Sequence, residues 1–197
     1  PETLPYLFVE YTTRSLDGTV TNTTSRALSQ QIGTYEYNNF YGPEVWRRPD
    51  YGVMVGVEKT LSTMKVGGKR TAVIPGWLLS GKVFGDPDYC FKKASGTNAI
   101  YEIEVVNGLN DIVKWEVDSL CRYLADKYPS VAAGDSLKFG YYYVRSKEPE
   151  NESVSFAKDT TIKINYTGRL LNGTVFDTTI KDTAIFYGIY NSSSTYG

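Results

Sequence analysis

Hydrophobic and polar positions alternate with period two along several short stretches and change to helical spacing in two places. Leu7-Phe8-Val9-Glu10-Tyr11-Thr12 reads as a strand. Ser15 to Val20 carries Asp17-Gly18, the signal of a hairpin turn. Residues 25–52 are polar, aromatic and Gly/Pro-bearing, and read as a long excursion or a bulged strand. From Gly56 to Lys65 the apolar residues Val57, Leu61 and Met64 fall at helical spacing, and Gly67-Gly68 ends that helix. Lys69 to Ile74 is a strand closed by Pro75-Gly76, and a long loop follows from about Trp77 to Asn98. Ile100 to Val106 alternates again, with isoleucine, isoleucine and valine expected on one face.

From Asp111 to Tyr128 the period changes. Val113, Val117, Leu120, Cys121 and Leu124 form one apolar stripe, so an amphipathic helix is predicted there, ended by Pro129. It reads as a connector packed between domains. Phe139 to Val144 and Thr161 to Tyr166 read as further strands, separated by a charged loop from Lys147 to Ser155. One short helix among several strands, without a βαβ rhythm, predicts an α+β fold. Its sheet is expected to be curved and mainly antiparallel, with the short helix on the concave face.

The chain also repeats itself. Tyr11-Thr12-x-Arg14-x-Leu16-x-Gly18-Thr19-Val20 recurs as Tyr166-Thr167-x-Arg169-x-Leu171-x-Gly173-Thr174-Val175, 155 residues later. Without a gap, 6–42 and 161–197 share 13 identities in 37 positions. Ordinary residue frequencies give roughly two or three by chance. Such an offset predicts tandem domains, not a solenoid. The expected division is a nearly complete domain over 1–110, a connector helix over 111–131, and the start of a second, truncated domain over 132–197.

Composition narrows the chemistry. A net charge of −1 makes no electrostatic case for nucleic acid. The chain has no histidine, so Ser-His-Asp and Cys-His catalysis and His-ligated zinc are excluded within it. It has 17 tyrosines, which suit either binding through aromatic walls or simply strands. Asp86, Asp88 and Glu102 fit no calcium-loop spacing, so no metal is expected. Cys90 and Cys121 either pair or stay free, and free, buried thiols are the expectation. The chain opens on Pro1 with no initiator Met, and the natural start is expected upstream.

Ile162-Lys163-Ile164-Asn165-Tyr166-Thr167-Gly168, followed by Leu171-Asn172-Gly173-Thr174-Val175-Phe176-Asp177, resembles the opening signature of FKBP-type peptidyl-prolyl cis–trans isomerases. Gly140-Tyr141-Tyr142-Tyr143-Val144 resembles the first strand of their bacterial exported branch. The earlier copy carries the later landmarks: Gly56-x8-Lys65-x-Gly67 resembles the short helix and its exit turn, Lys69-Arg70-x3-Ile74-Pro75 the next strand, and Tyr101 to Val106 the closing strand. The resemblance covers about 6–106 and 139–197. It implies an FKBP-like curved antiparallel sheet around a short helix, with a second partial copy.

It also implies rotation of X-Pro peptide bonds without cofactor or covalent intermediate. The barrier for amides is about 18–20 kcal/mol, and a dry aromatic pocket favours the twisted, less conjugated amide. The implied catalytic residues are Tyr166, Phe176 and Asp177. The implied substrate-binding residues are Tyr11, Met54, Val57, Trp77 and Tyr101. In the first copy the Phe-Asp pair is replaced by Thr21-Asn22, the helix-start aromatic by Val57, and the tyrosine after the turn by Ser80, so that domain alone is expected to be weak or inactive. Trp77 is the expected compensation. The implied partners are proline-containing or unfolded polypeptides in the periplasm or at the cell surface, with room for a lipid anchor upstream of Pro1. The alternative is a non-catalytic FKBP-like module that binds peptides as a chaperone of the cell envelope.

Overall fold

Strand β1 (Tyr6–Arg14) has hydrogen-bonded neighbours on both edges, and the first unit is built around it. One edge pairs antiparallel with β5 (Ala99–Leu109), from Tyr6↔Leu109 to Arg14↔Ile100. Two strands share the other edge: β3 (Glu44–Arg47) covers Tyr6 to Val9, and β2 (Val20–Thr23) covers Thr12 to Arg14. β4 (Lys69–Ile74) extends the sheet beyond β5. Every pairing is antiparallel, with few helices, consistent with an FKBP-like fold. The computed structural model describes residues 4–48, 54–79, 96–129, 142, 144, 147, 150 and 155–197, and it divides into two units, Pro1–Ile112 and Val113–Gly197.

The β1–β2 hairpin follows from its turn residues. Gly18 takes φ 91, which a Cβ disfavours, and its N–H donates to the Ser15 carbonyl. Asp17 accepts from the Thr19 N–H at 2.9 Å. The shared edge leaves a gap at Tyr11, after β3 and before β2. Thr24 fills it: its Oγ1 accepts from the Tyr11 N–H at 2.9 Å, and its own N–H donates to the Tyr11 carbonyl at 3.0 Å. Thr24 is buried, so this side chain satisfies a backbone donor that would otherwise be costly to bury. The excursion expected over 25–52 resolves into α1 (Arg26–Gln31), capped by Ser25, then a turn at Gly33 and the return strand β3.

The core is the inner sheet face closed by α2 (Val55–Leu61): Leu7, Val9, Val57, Leu61, Ile74, Ile103 and Val105. The helix is shorter than the predicted 56–65. Gly67 at φ 80 and the bonds Gly67 N–H to Val105 O and Val105 N–H to Gly68 O draw the exit loop onto β5 and end it early. Met64 still packs against the core from that loop. The inner residues of β5 are Tyr101, Ile103 and Val105. Ile100 lies on the other face with Glu102 and Glu104, which corrects the expected isoleucine pair: positions three apart cannot share a strand face. Arg48 grips both carboxylate oxygens of Glu58 on α2, with Nε 2.9 Å from each. That pair fastens the end of β3 to the helix. Of the long loop, α3 (Gly76–Leu79) and residues 96–98 lie within the described residues.

The second unit takes in most of α4 (Ile112–Lys127), which runs as predicted and leaves no residue fully buried. Cys121 is a free thiol, half-buried, with Sγ 3.1 Å from the Tyr142 hydroxyl. Cys90 and most of the strand expected over 139–144 lie outside the described residues. β6 (Thr167–Arg169), β7 (Val175–Thr178) and α5 (Lys181–Phe186) follow. Their hydrogen bonds fall at the sequence offset of the repeat. Gly173 N–H donates to Leu170 O, Thr179 Oγ1 accepts from Tyr166 N–H, and Gly197 N–H donates to Thr179 O, as Gly18, Thr24 and Gly42 do in the first unit. The strand expected over Thr161 to Tyr166 is not formed. In the first unit the equivalent residues are bonded to β3 and β5, and among the described residues of the second unit no strand takes those places. Ile162 and Ile164 are accordingly 50% and 63% exposed.

Gly56 sets how closely α2 approaches β4. A Cβ there would collide with the Ile74 side chain and come within 3.0 Å of Leu78 Cβ. Alanine gains about 1 kcal/mol of helix propensity, but overpacking costs about 1–3 kcal/mol. Gly56→Ala is therefore expected to destabilise the first unit by about 1 kcal/mol, read as a lower urea midpoint at unchanged slope.

Candidate functional site

Where the sheet opens beside α2, its inner face lines a cavity of about 410 Å³. Tyr11 and Thr13 come from β1, Asn22 from β2, Tyr101 from β5, Val57 from α2 and Met54 from its N-cap. β3 adds Val45, Trp46 and Arg47. Four of the five binding residues expected in the first copy, Tyr11, Met54, Val57 and Tyr101, are thus brought together. Trp77 is not: it sits on α3 and does not line this cavity.

Trp46, and not Trp77, is the tryptophan that lines the cavity. It pairs with Leu7 across the β1–β3 ladder, so the period-two pleat turns it inward. Its ring lies 5.0 Å from that of Tyr11 at an interplanar angle of 46°, a favourable tilted geometry. Sequence reasoning missed it because Gly42-Pro43 and Arg48-Pro49 frame only a four-residue strand. The alternation Glu44-Val45-Trp46-Arg47 was the available signal. Glu44 was missed for the same reason. The Tyr11 hydroxyl accepts from Asn22 Nδ2 at 3.1 Å and donates to Glu44 Oε1 at 3.4 Å, while Trp46 Nε1 donates to Glu44 Oε2 at 3.3 Å. The acid beside the Tyr11 hydroxyl is thus supplied from β3, while position 22 contributes an amide.

Burial, and after it the charge and hydrogen bond of Glu44, push the Tyr11 pKa up to about 12. Burial also raises that of Tyr101. Both phenols therefore remain neutral donors through the physiological range. Among the described residues the Tyr101 hydroxyl has no hydrogen-bond partner, so it is available to a carbonyl entering the cavity. The arrangement offers aromatic and aliphatic walls to an apolar ring and a fixed donor to the peptide beside it. Among the described residues no three Cys, Asp or Glu side chains converge on a metal site. No helix among them is long and apolar enough to cross a membrane.

In the second unit, Tyr166 Oη donates to Asp177 Oδ2 at 2.6 Å, and that bond raises the tyrosine pKa. The third expected catalytic residue, Phe176, covers Gly168: a Cβ on that glycine would meet the ring at 2.7 Å. Thr13 and Thr21 occupy the corresponding positions of the first unit, with their hydroxyls 2.8 Å apart. Each unit thus holds a matched pair at this cross-strand position, one apolar and one polar.

No family model matches the chain, and no curated protein matches it. Among solved structures it is similar to FkpA from Escherichia coli, at 23% identity and a TM-score of 0.37, over 56% of this chain and 43% of that one. It is also similar to AtFKBP13, at 22% identity and a TM-score of 0.34, over 53% of this chain and 79% of that one. The chain therefore spans under half the length of FkpA.

Two predictions follow from these contacts. The Tyr11 pKa lies above the unfolded value of about 10, so the folded state holds this proton more tightly. The resulting stability is complete below about pH 10 and is lost as pH rises towards about 12. Urea midpoints measured at pH 8 and pH 11 should fall less in Tyr11→Phe than in the parent chain. At the matched pair, Gly168→Thr should displace the Phe176 ring and cost about 1–2 kcal/mol. Gly168→Thr with Phe176→Thr should recover at least half of that cost in a double-mutant cycle.

Proposed function

We propose that this chain belongs to an FKBP-type peptidyl-prolyl cis–trans isomerase acting on X-Pro bonds of exported polypeptides, with tandem domains and a second copy that starts near residue 132. The observation that carries the reading is the cavity floored by Val57 and Met54 and walled by Tyr11, Trp46 and Tyr101, with one unengaged hydroxyl. A proline ring fits such walls. A twisted X-Pro amide has lost conjugation and is solvated less well than a planar one, so a poorly hydrated pocket favours it. Tyr101 Oη then holds a neighbouring carbonyl. No step requires a proton to move, in keeping with a chain that has no histidine.

Tyr166, Phe176 and Asp177 are assigned to the same chemistry in the second copy. The repeated hydrogen bonds and turns at a common offset support reading that segment as a partial duplicate. Location in the periplasm or at the cell surface, a lipid anchor upstream of Pro1, and proline-containing or unfolded chains as partners belong to the same proposal. They rest on composition and motif resemblance.

A specific observation favours a second reading, in which the first unit binds proline peptides without turning them over. Val57 leaves the floor aliphatic, and Thr21-Asn22 replaces an aromatic and an acid. A protease-free isomerisation assay with an Ala-Pro peptide separates the two. Under the first reading the chain accelerates exchange, and Trp46→Ala lowers kcat/KM about tenfold, near 1.4 kcal/mol. Binding with no acceleration establishes the second reading. Neither binding nor acceleration removes both.

A further inference from the structure

A second cavity, of about 320 Å³, adjoins the aromatic one: Asn22 lines both, and Glu44 in the wall of the second accepts hydrogen bonds from Tyr11 and Trp46 of the first. Its lining is of another kind. Hydroxyls and amides of Thr21, Thr34, Asn39 and Tyr41 dominate, and Glu44 is the one charged residue in its wall. The walls are held in place by bonds of their own. Tyr41 Oη accepts from the Glu36 N–H at 3.0 Å, its ring stacks on Tyr35 at 5.3 Å, and the Gly42 N–H donates to the Thr24 carbonyl. The two donors that reach Glu44, from Tyr11 and Trp46, are both neutral. Among the described residues no lysine or arginine lies within ion-pair distance of it. Glu44, with no cation of its own among the described residues, thus stands in the wall of the second cavity, hydrogen-bonded to two residues of the first and flanked by oxygen acceptors.

We infer that this second cavity selects a basic residue, lysine or arginine, adjacent to the proline held in the aromatic cavity. The inference rests on the proposed reading of the aromatic cavity as a proline site. The reach is right, because Asn22 lines both cavities and Glu44 of the second is bonded to Tyr11 and Trp46 of the first. The chemistry is right, because an ammonium or guanidinium needs acceptors and a counter-charge, and the wall supplies both. Glu44 is exposed, so its contribution is that of a solvated ion pair and not of a buried one. A preference of about three- to fivefold is expected, screened by salt.

The test uses the full chain and peptides that differ only beside the proline: Lys-Pro, Pro-Lys, Ala-Pro and Glu-Pro. Both affinity, from tryptophan fluorescence, and isomerisation rate are measured. The expected result is that one lysine peptide binds about three- to fivefold better than Ala-Pro, with Glu-Pro below Ala-Pro. Glu44→Gln should bring the lysine-to-alanine ratio close to one, as should 0.5 M salt. Thr34→Lys, on the exposed part of the cavity wall, should reverse the order in favour of Glu-Pro without touching Glu44. Equal binding of lysine and alanine peptides by the parent chain overturns the inference. So does a lysine preference that survives Glu44→Gln. Binding of none of the peptides overturns it together with the proline-site reading. Lysine-selective binding without any acceleration leaves the inference standing while removing the isomerase reading.

Discussion

The first unit depends on one constraint: β1 must give a single edge to two different strands. β3 occupies its first half and β2 its second, and the chain between them has to leave the sheet and return to the same edge. Thr24 bridges the point of exchange by lending a side-chain oxygen to the Tyr11 N–H. With that donor satisfied, β1 stays continuous on its other edge against β5. The same geometry turns Trp46 and Glu44 inward beside Tyr11. Arg48, bound to Glu58, then holds the returning strand against the helix that supplies the pocket floor. The site is therefore a by-product of how the edge is shared.

Matching turn and ladder bonds in the two units carry different side chains. At the bulge beside the hairpin, Phe176 shields Gly168 in one unit, and two threonine hydroxyls meet in the other. The phenol of the repeated tyrosine, Tyr11 or Tyr166, meets an acid in both, but from different places. In one unit it is Asp177 on the adjacent strand, 2.6 Å away; in the other it is Glu44, contributed by the returning segment. Either acid accepts the hydrogen bond that the tyrosine hydroxyl donates.

Much of this was legible in the sequence where local chemistry and period agree. Asp17-Gly18 and Asn172-Gly173 announce their turns, and 69–74 and 112–127 fall close to the residues whose periodicity predicts them. The failures have physical causes. Residues 161–166 alternate like a strand, but alternation describes which face is buried, and a ladder also needs a neighbour. Trp46 and Glu44 escaped notice because a four-residue strand is too short for a period to emerge, and their partners on β1, Leu7 and Val9, lie 39 and 35 residues away in sequence. Trp77 lay near the site in sequence but sits on a helical turn outside the cavity. Nearness along the chain was a poor guide to nearness in the pocket.

The loop between β2 and β3 closes on itself. Tyr35 stacks on Tyr41, whose hydroxyl caps the loop's own backbone, and Tyr190 and Tyr196 repeat the arrangement with a centroid spacing of 5.3 Å. A loop that carries its own fastening answers little to the sheet beneath it. Residues at its tip can then be exchanged at low cost to the scaffold, and recognition can diverge between relatives, or be altered by an engineer, while the fold remains as it is.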